Sequence, residues 1–240
     1  MEIYIGSARH DENGKYVGGK AGDQKQTSST FDTKGEVSIQ SLASFIGSKK
    51  WYIVRAKTVA NAKALASAMK TACNNANVGY NQNSRLEIVT YGVDAKYPVN
   101  SDCSSLVRAC VIKATGKDPG NFITSNEPAI LKNTGLFDAA VIYTSASIIY
   151  EGDILVTQGK GHTGICVEGN ARDVSSLFYP RYLGSTSSIV TALQGVGEKD
   201  VTLAHRQKIA LANGITNYKG TAAQNLKLLS LVKNGILVKA

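Results

Sequence analysis

Apolar positions along this chain follow two periods, one of strands and one of helices. Ile3 and Ile5 alternate around Tyr4 as a short opening strand, and Asp11-Glu12-Asn13-Gly14 predicts a hairpin turn into Lys15-Tyr16-Val17. Glu36 to Ile39 and Trp51 to Arg55 read as further strands. Thr58 then caps a helix whose apolar residues, Ala62, Leu65, Ala66, Met69, Ala72 and Cys73, recur at helical spacing until Asn74-Asn75 and Gly79 stop it. A second helix follows Asn100-Ser101-Asp102, with apolar residues at 106, 107, 110 and 111 and a Gly116 to Gly120 stop. After a short helix around Glu127 to Leu131, Glu151-Gly152-Asp153 turns into the strand Ile154 to Thr157. Gln158 to Gly161 turns again into His162 to Val167, so the pair runs antiparallel.

The pattern changes near residue 178. Phe178-Tyr179-Pro180-Arg181-Tyr182 reads as a linker, and Ser187 to Val196, Thr202 to Asn213 and Gly220 to Val232 have helical apolar spacing. Two domains are therefore expected, 1–177 and 178–240: an α+β domain with an antiparallel sheet, and a small, mainly helical one. Charge divides the same way. Of the net +9, residues 178–240 carry +6 and the first 177 carry +3.

With 240 residues and 43% apolar composition the chain has enough material for a sizeable core. No basic start leads into a long apolar stretch and no run is long enough to cross a bilayer, so neither a signal peptide nor membrane insertion is expected. The cysteines, at 73, 103, 110 and 166, form no C-x-x-C pair and have no histidine at metal-ligand spacing, so no metal is expected. Asp11 to Gly14 lacks the ligand spacing of an EF-hand, and Gly18 to Gln24 does not match a phosphate-binding loop. A basic helical tail also suits a helix-turn-helix DNA binder, but its cations are scattered with no basic recognition helix, and nucleic acid is not the expected partner.

One cysteine stands out. Cys103 falls in the first turn of its helix, where unpaired N–H groups and the helix dipole favour a thiolate. Buried free cysteines more often pack as small apolar groups, and Cys73, Cys110 and Cys166 fit that reading. The polar flank of Asp102, Ser104 and Ser105 favours a nucleophile at 103, with Asp102 as helix cap. The histidines are at 10, 162 and 205. Glycine-flanked His162, at the start of a strand, is the one placed to take a proton from a helix-borne thiol.

Asp102-Cys103-Ser104-Ser105-Leu106-Val107, Gly152-Asp153-Ile154 and Gly161-His162-Thr163-Gly164-Ile165, in that order, resemble the NlpC/P60 superfamily of peptidoglycan hydrolases, in particular its phage branch related to CHAP domains. The resemblance implies a papain-like fold without cofactor, Cys103 as nucleophile and His162 as general base. It also implies Tyr80 and Ser104 beside the substrate and backbone N–H groups around a developing oxyanion. A third polar residue orients the histidine in this family. Asp23 is the preferred candidate, with Gln24 as an oxyanion donor, because Gly18 to Gln24, which resembles a segment upstream in some phage relatives, otherwise has no evident purpose; Asp173, on a short return strand Ala171 to Val174, is the alternative. Stem-peptide endopeptidase and N-acetylmuramoyl-L-alanine amidase are both compatible activities.

Gly214-Ile215, Tyr218 and Gly220 to Asn225 resemble C-terminal wall-binding modules of clostridia and their phages. That likeness implies Gram-positive peptidoglycan and teichoic acid as partners, with exposed Tyr179, Tyr182 and Tyr218 and the cation Arg206 as contacts. The whole resembles a phage endolysin, made in the host cytoplasm and acting on the wall after release. A wall- or nucleic-acid-binding protein with a decayed papain-like domain is the non-enzymatic alternative, and the presence of both Cys103 and His162 argues against it.

Overall fold

The computed structural model describes residues 2–25, 35–172 and 177–240. The chain divides into two compact units, 1–172 and 173–240. As the periodicity predicts, the larger unit combines α-helices with an antiparallel sheet.

Six strands make the sheet: β1 (Tyr4–Ala8), β2 (Val37–Ser41), β3 (Trp51–Val54), β6 (Val141–Ile142), β7 (Ile154–Thr157) and β8 (Thr163–Glu168). Their order across it is β2-β1-β8-β7-β3-β6, every pair antiparallel. Two more strands, β4 (Val78–Tyr80) and β5 (Val99–Ser101), form a separate parallel pair with Tyr80 opposite Ser101.

Two long helices cover one face of the sheet, α2 (Val59–Cys73) and α4 (Cys103–Thr115). Leu65, Met69, Leu106, Val107 and Cys110 meet Val54, Ile154 and Ile165 there in one core. Beneath the other face, α1 (Leu42–Ile46) puts Phe45 against Trp51, with Ile5, Ile53, Leu155 and Cys166 around them. The short helices α3 (Glu87–Tyr91) and α5 (Glu127–Asn133) complete the unit. The β7 turn is held by Asp153, whose carboxylate accepts from Tyr150 N at 2.9 Å and pairs with Arg55 and Arg172. Gly152 (φ +82°) is required there, because a Cβ would run into the Ala62 carbonyl of α2.

The predicted hairpin does not form. Asp11 to Gly14 does turn, with Gly14 N donating to Asp11 O at 2.9 Å, but Lys15 to Val17 form no strand. β1 lies between β2 and β8 instead, so both of its edges are already paired.

The smaller unit contains the three expected helices, α6 (Ile189–Gly195), α7 (Leu203–Ala212) and α8 (Ala222–Lys233), each capped by a hydroxyl side chain: Ser188, Thr202 and Thr221. The stretch read as a linker belongs to this unit. Tyr179 packs in its core beside Leu193, Ile209 and Leu229, and Tyr179 N donates to Leu237 O at 2.9 Å.

Candidate active site

Cys103 begins α4, and its position is fixed from both sides. Ahead of it, Asn81 N donates to Ser101 O and Ser101 Oγ donates to Gly79 O, each at 2.9 Å, which ties β5 to β4. At the helix start, Asp102 accepts from Ser105 N at 2.7 Å while Ser105 Oγ accepts from Asp102 N at 2.8 Å, a reciprocal capping box. Asp102 therefore caps the helix, as expected, and it also pairs with Arg85 at 3.3 Å.

His162 comes from the opposite wall, one residue before β8. Its backbone is held by Thr157, with Thr157 N donating to His162 O and His162 N donating to Thr157 Oγ1, each at 3.0 Å. The ring lies 5.2 Å from the Phe45 ring, and its Nε2 is 3.2 Å from Ser7 Oγ on β1. Cys103 and His162 both line one cleft of about 790 Å³, together with Tyr80 and Ser104. Within it the imidazole bonds to Ser7 Oγ and makes no hydrogen bond to the Cys103 thiol. Tyr80 contributes a hydroxyl that accepts from Gln82 Nε2 at 3.0 Å.

Burial dominates the electrostatics. It pushes the Cys103 thiol from the usual 9.0 to about 12; the charges of Asp102 and Glu127 act the same way, and the Thr163 N–H and Ser104 oppose them more weakly. Three pH units correspond to about 4 kcal/mol against the thiolate, whereas a helix terminus contributes at most about 2 kcal/mol in its favour. The thiolate expected from the helix position alone is therefore not preformed. Burial, with Lys49, Arg9 and His10 adding to it, lowers His162 from 6.5 to about 3. A neutral thiol and a neutral imidazole therefore line the same cleft.

Asp23 and Gln24 do not line the cleft. The Asp23 carboxylate accepts from Glu36 N at 2.6 Å, and Gln24 Nε2 donates to Ala21 O at 3.1 Å. Their segment has a structural purpose. Glu36 accepts from Gln24 N at 3.3 Å and from Tyr80 N at 2.5 Å, and a Cβ on Gly79 would run into the Gly22 carbonyl, so the glycine-rich loop lies flat against β4. Asp173 lies outside the described residues. The group held against the imidazole is Ser7, which sequence reasoning missed although it shares an inward-facing strand parity with Ile5, an unusual place for a hydroxyl.

Glu127 was missed as well. Fully buried at the start of α5, its Oε1 lies 2.8 Å from Thr163 Oγ1, which is itself 3.0 Å from the Leu155 carbonyl oxygen. One hydroxyl proton cannot serve both acceptors. A protonated Glu127 that donates to Thr163, while Thr163 donates to Leu155, satisfies the chain. Burial pushes Glu127 from 4.5 to about 8, with the Asp102 charge adding to it and the Thr163 hydrogen bond opposing.

The expected wall contacts of the smaller unit are placed differently from expectation. Tyr179 and Tyr218 are buried, and Arg206 Nη1 donates to the Tyr218 hydroxyl at 3.1 Å, so these groups stabilise their own unit. Tyr182 is half-buried beside that core. Among the described residues no group of His, Cys, Asp or Glu is placed to hold a metal ion, and no helix is long and apolar enough to cross a membrane.

Comparison with curated proteins and with solved structures gives no match. A family model described as an endolysin-like domain matches residues 5–173, a span that takes in both walls of the cleft, and the chain belongs to this endolysin-like domain family.

Proposed function

We propose that the larger unit hydrolyses an amide bond of bacterial peptidoglycan, with Cys103 as nucleophile and His162 as general base. The observation that carries this reading is the shared cleft: a cysteine at the start of a capped helix and a histidine just ahead of a strand line it within an endolysin-like domain. Cys103 Sγ attacks the amide carbonyl carbon as its proton passes to His162. The tetrahedral intermediate collapses, the C–N bond breaks and the imidazolium protonates the leaving amine. Water then attacks the thioester, His162 takes its proton, and the acid is released with the thiol restored. Catalytic hydrogen bonds are often loose without substrate; with Nε2 held on Ser7, Nδ1 is the ring nitrogen that takes the thiol proton when the cleft fills.

The motifs around Cys103 and His162 favour an NlpC/P60-type endopeptidase with a papain-like arrangement; an amidase using the same residues is the second reading. The helical unit, whose residues 178–240 carry a net +6, is the proposed wall-binding module, steered towards anionic teichoic acid after the protein is released to the wall. Its contacts are surface cations rather than Tyr179 or Tyr218.

Cys103→Ala is expected to lower hydrolysis of Gram-positive walls by about 1,000-fold or more while wall binding persists. Retained hydrolysis would sink the assignment. Mass spectrometry of the digest separates the reactions, because an amidase frees the amino terminus of the stem's first alanine and an endopeptidase does not.

A further inference from the structure

The described rim of the cleft is cationic on its histidine side. Arg85 is balanced by Asp102 at 3.3 Å, and Arg9 donates to the Gly35 carbonyl at 3.2 Å. Lys49 and Lys160 also line the cleft, both exposed, and among the described residues neither has a carboxylate partner or a side-chain hydrogen bond.

Their positions are linked. Lys49 lies in the segment between α1 and β3, and Lys160 lies in the turn between β7 and β8. Gln158 joins the two segments, its N–H donating to Lys50 O at 2.9 Å and its side chain to Trp51 O at 3.2 Å. Both lysines therefore stand on one hydrogen-bonded rim that also positions His162. The field of Lys49 reaches the ring, where it is the foremost charge disfavouring the imidazolium.

We propose that Lys49 and Lys160 form a subsite for a substrate carboxylate on the His162 side of the scissile amide, so that peptide stems with a free carboxylate are preferred over amidated ones. This inference rests on the hydrolase reading above. A carboxylate seated there offsets the charge that opposes the imidazolium, so the same contact that binds the substrate also makes His162 a better proton acceptor.

The test uses full-length protein and two synthetic stem peptides that differ only in a free carboxylate or a carboxamide. Binding is measured with Cys103→Ala and turnover with the unsubstituted protein. Cys103→Ala is expected to bind the carboxylate peptide about tenfold more tightly, a preference that disappears when K49Q and K160Q are added. Equal binding of both peptides, binding of neither, or a preference undiminished by K49Q and K160Q overturns the subsite. Turnover of neither peptide with the binding preference intact leaves the subsite standing and counts against the hydrolase reading; turnover of both at equal KM does the reverse.

Discussion

Glu127 makes a stability prediction that can be worked from the structure. Its carboxyl is fully buried, and the Thr163 and Leu155 geometry calls for the protonated form. In the unfolded chain it titrates near 4.5 and in the folded protein near 8, so between those values the folded state holds one more proton. The contribution is complete below pH 4.5 and is lost as pH rises towards 8, at about 1.4 kcal/mol per pH unit. Glu127→Gln removes this dependence, and its amide can donate to Thr163 as the protonated carboxyl does. Relative to the unsubstituted protein, the glutamine variant is expected to gain about 3 kcal/mol between pH 5.5 and pH 7.5. Any fixed packing cost displaces both ends of that comparison equally. Glu36, which burial also raises to about 8, titrates in both proteins and drops out of the difference. Urea unfolding followed by tryptophan fluorescence suits the measurement, because the sole tryptophan, Trp51, is buried in the larger unit and reports on it alone. A stability difference that does not change with pH would refute a buried, protonated Glu127.

Two further substitutions test the remaining contacts. Ser7→Ala frees the imidazole from its Ser7 partner and is expected to lower kcat about tenfold with little change in KM, measured on a soluble peptide substrate. Tyr218→Phe removes a buried hydroxyl that joins Arg206 and Asn225, and is expected to destabilise the smaller unit by about 1–2 kcal/mol in thermal unfolding followed by circular dichroism.

Helical spacing made α2, α4 and the three helices of the smaller unit readable, because each buries an apolar stripe several turns long. The β4 and β5 strands escaped notice because three residues are too few for a period to declare itself. The hairpin at Asp11 was misjudged because turn chemistry is local, whereas the partners of β1 lie at residues 37–41 and 163–168. Cys103 and His162 could be picked out by their flanking motifs, but Ser7 could not be tied to His162 without knowing that β1 and β8 are neighbours. Lys49 and Lys160 had no local mark at all, since a lysine in a surface turn looks the same whether or not a cleft lies beside it. Tyr179 and Tyr218 show the reverse error: aromatic residues in polar surroundings read as exposed contacts, and the small core claimed them.

The pairing of β1 with β8 has a consequence for when the site comes into being. Ser7 and His162 meet across 155 positions of sequence, so the histidine wall is assembled by a contact that spans most of the larger unit. Closing a loop of that length early is entropically unfavourable, which places this pairing among the slow steps of folding. The cysteine wall, by contrast, is organised locally by β4, β5 and the Asp102 cap. On the ribosome, the strands and helix start that present Cys103 therefore emerge well before His162 does. The proposed catalytic pair comes together only once the strand ending at Glu168 has emerged and found the first one.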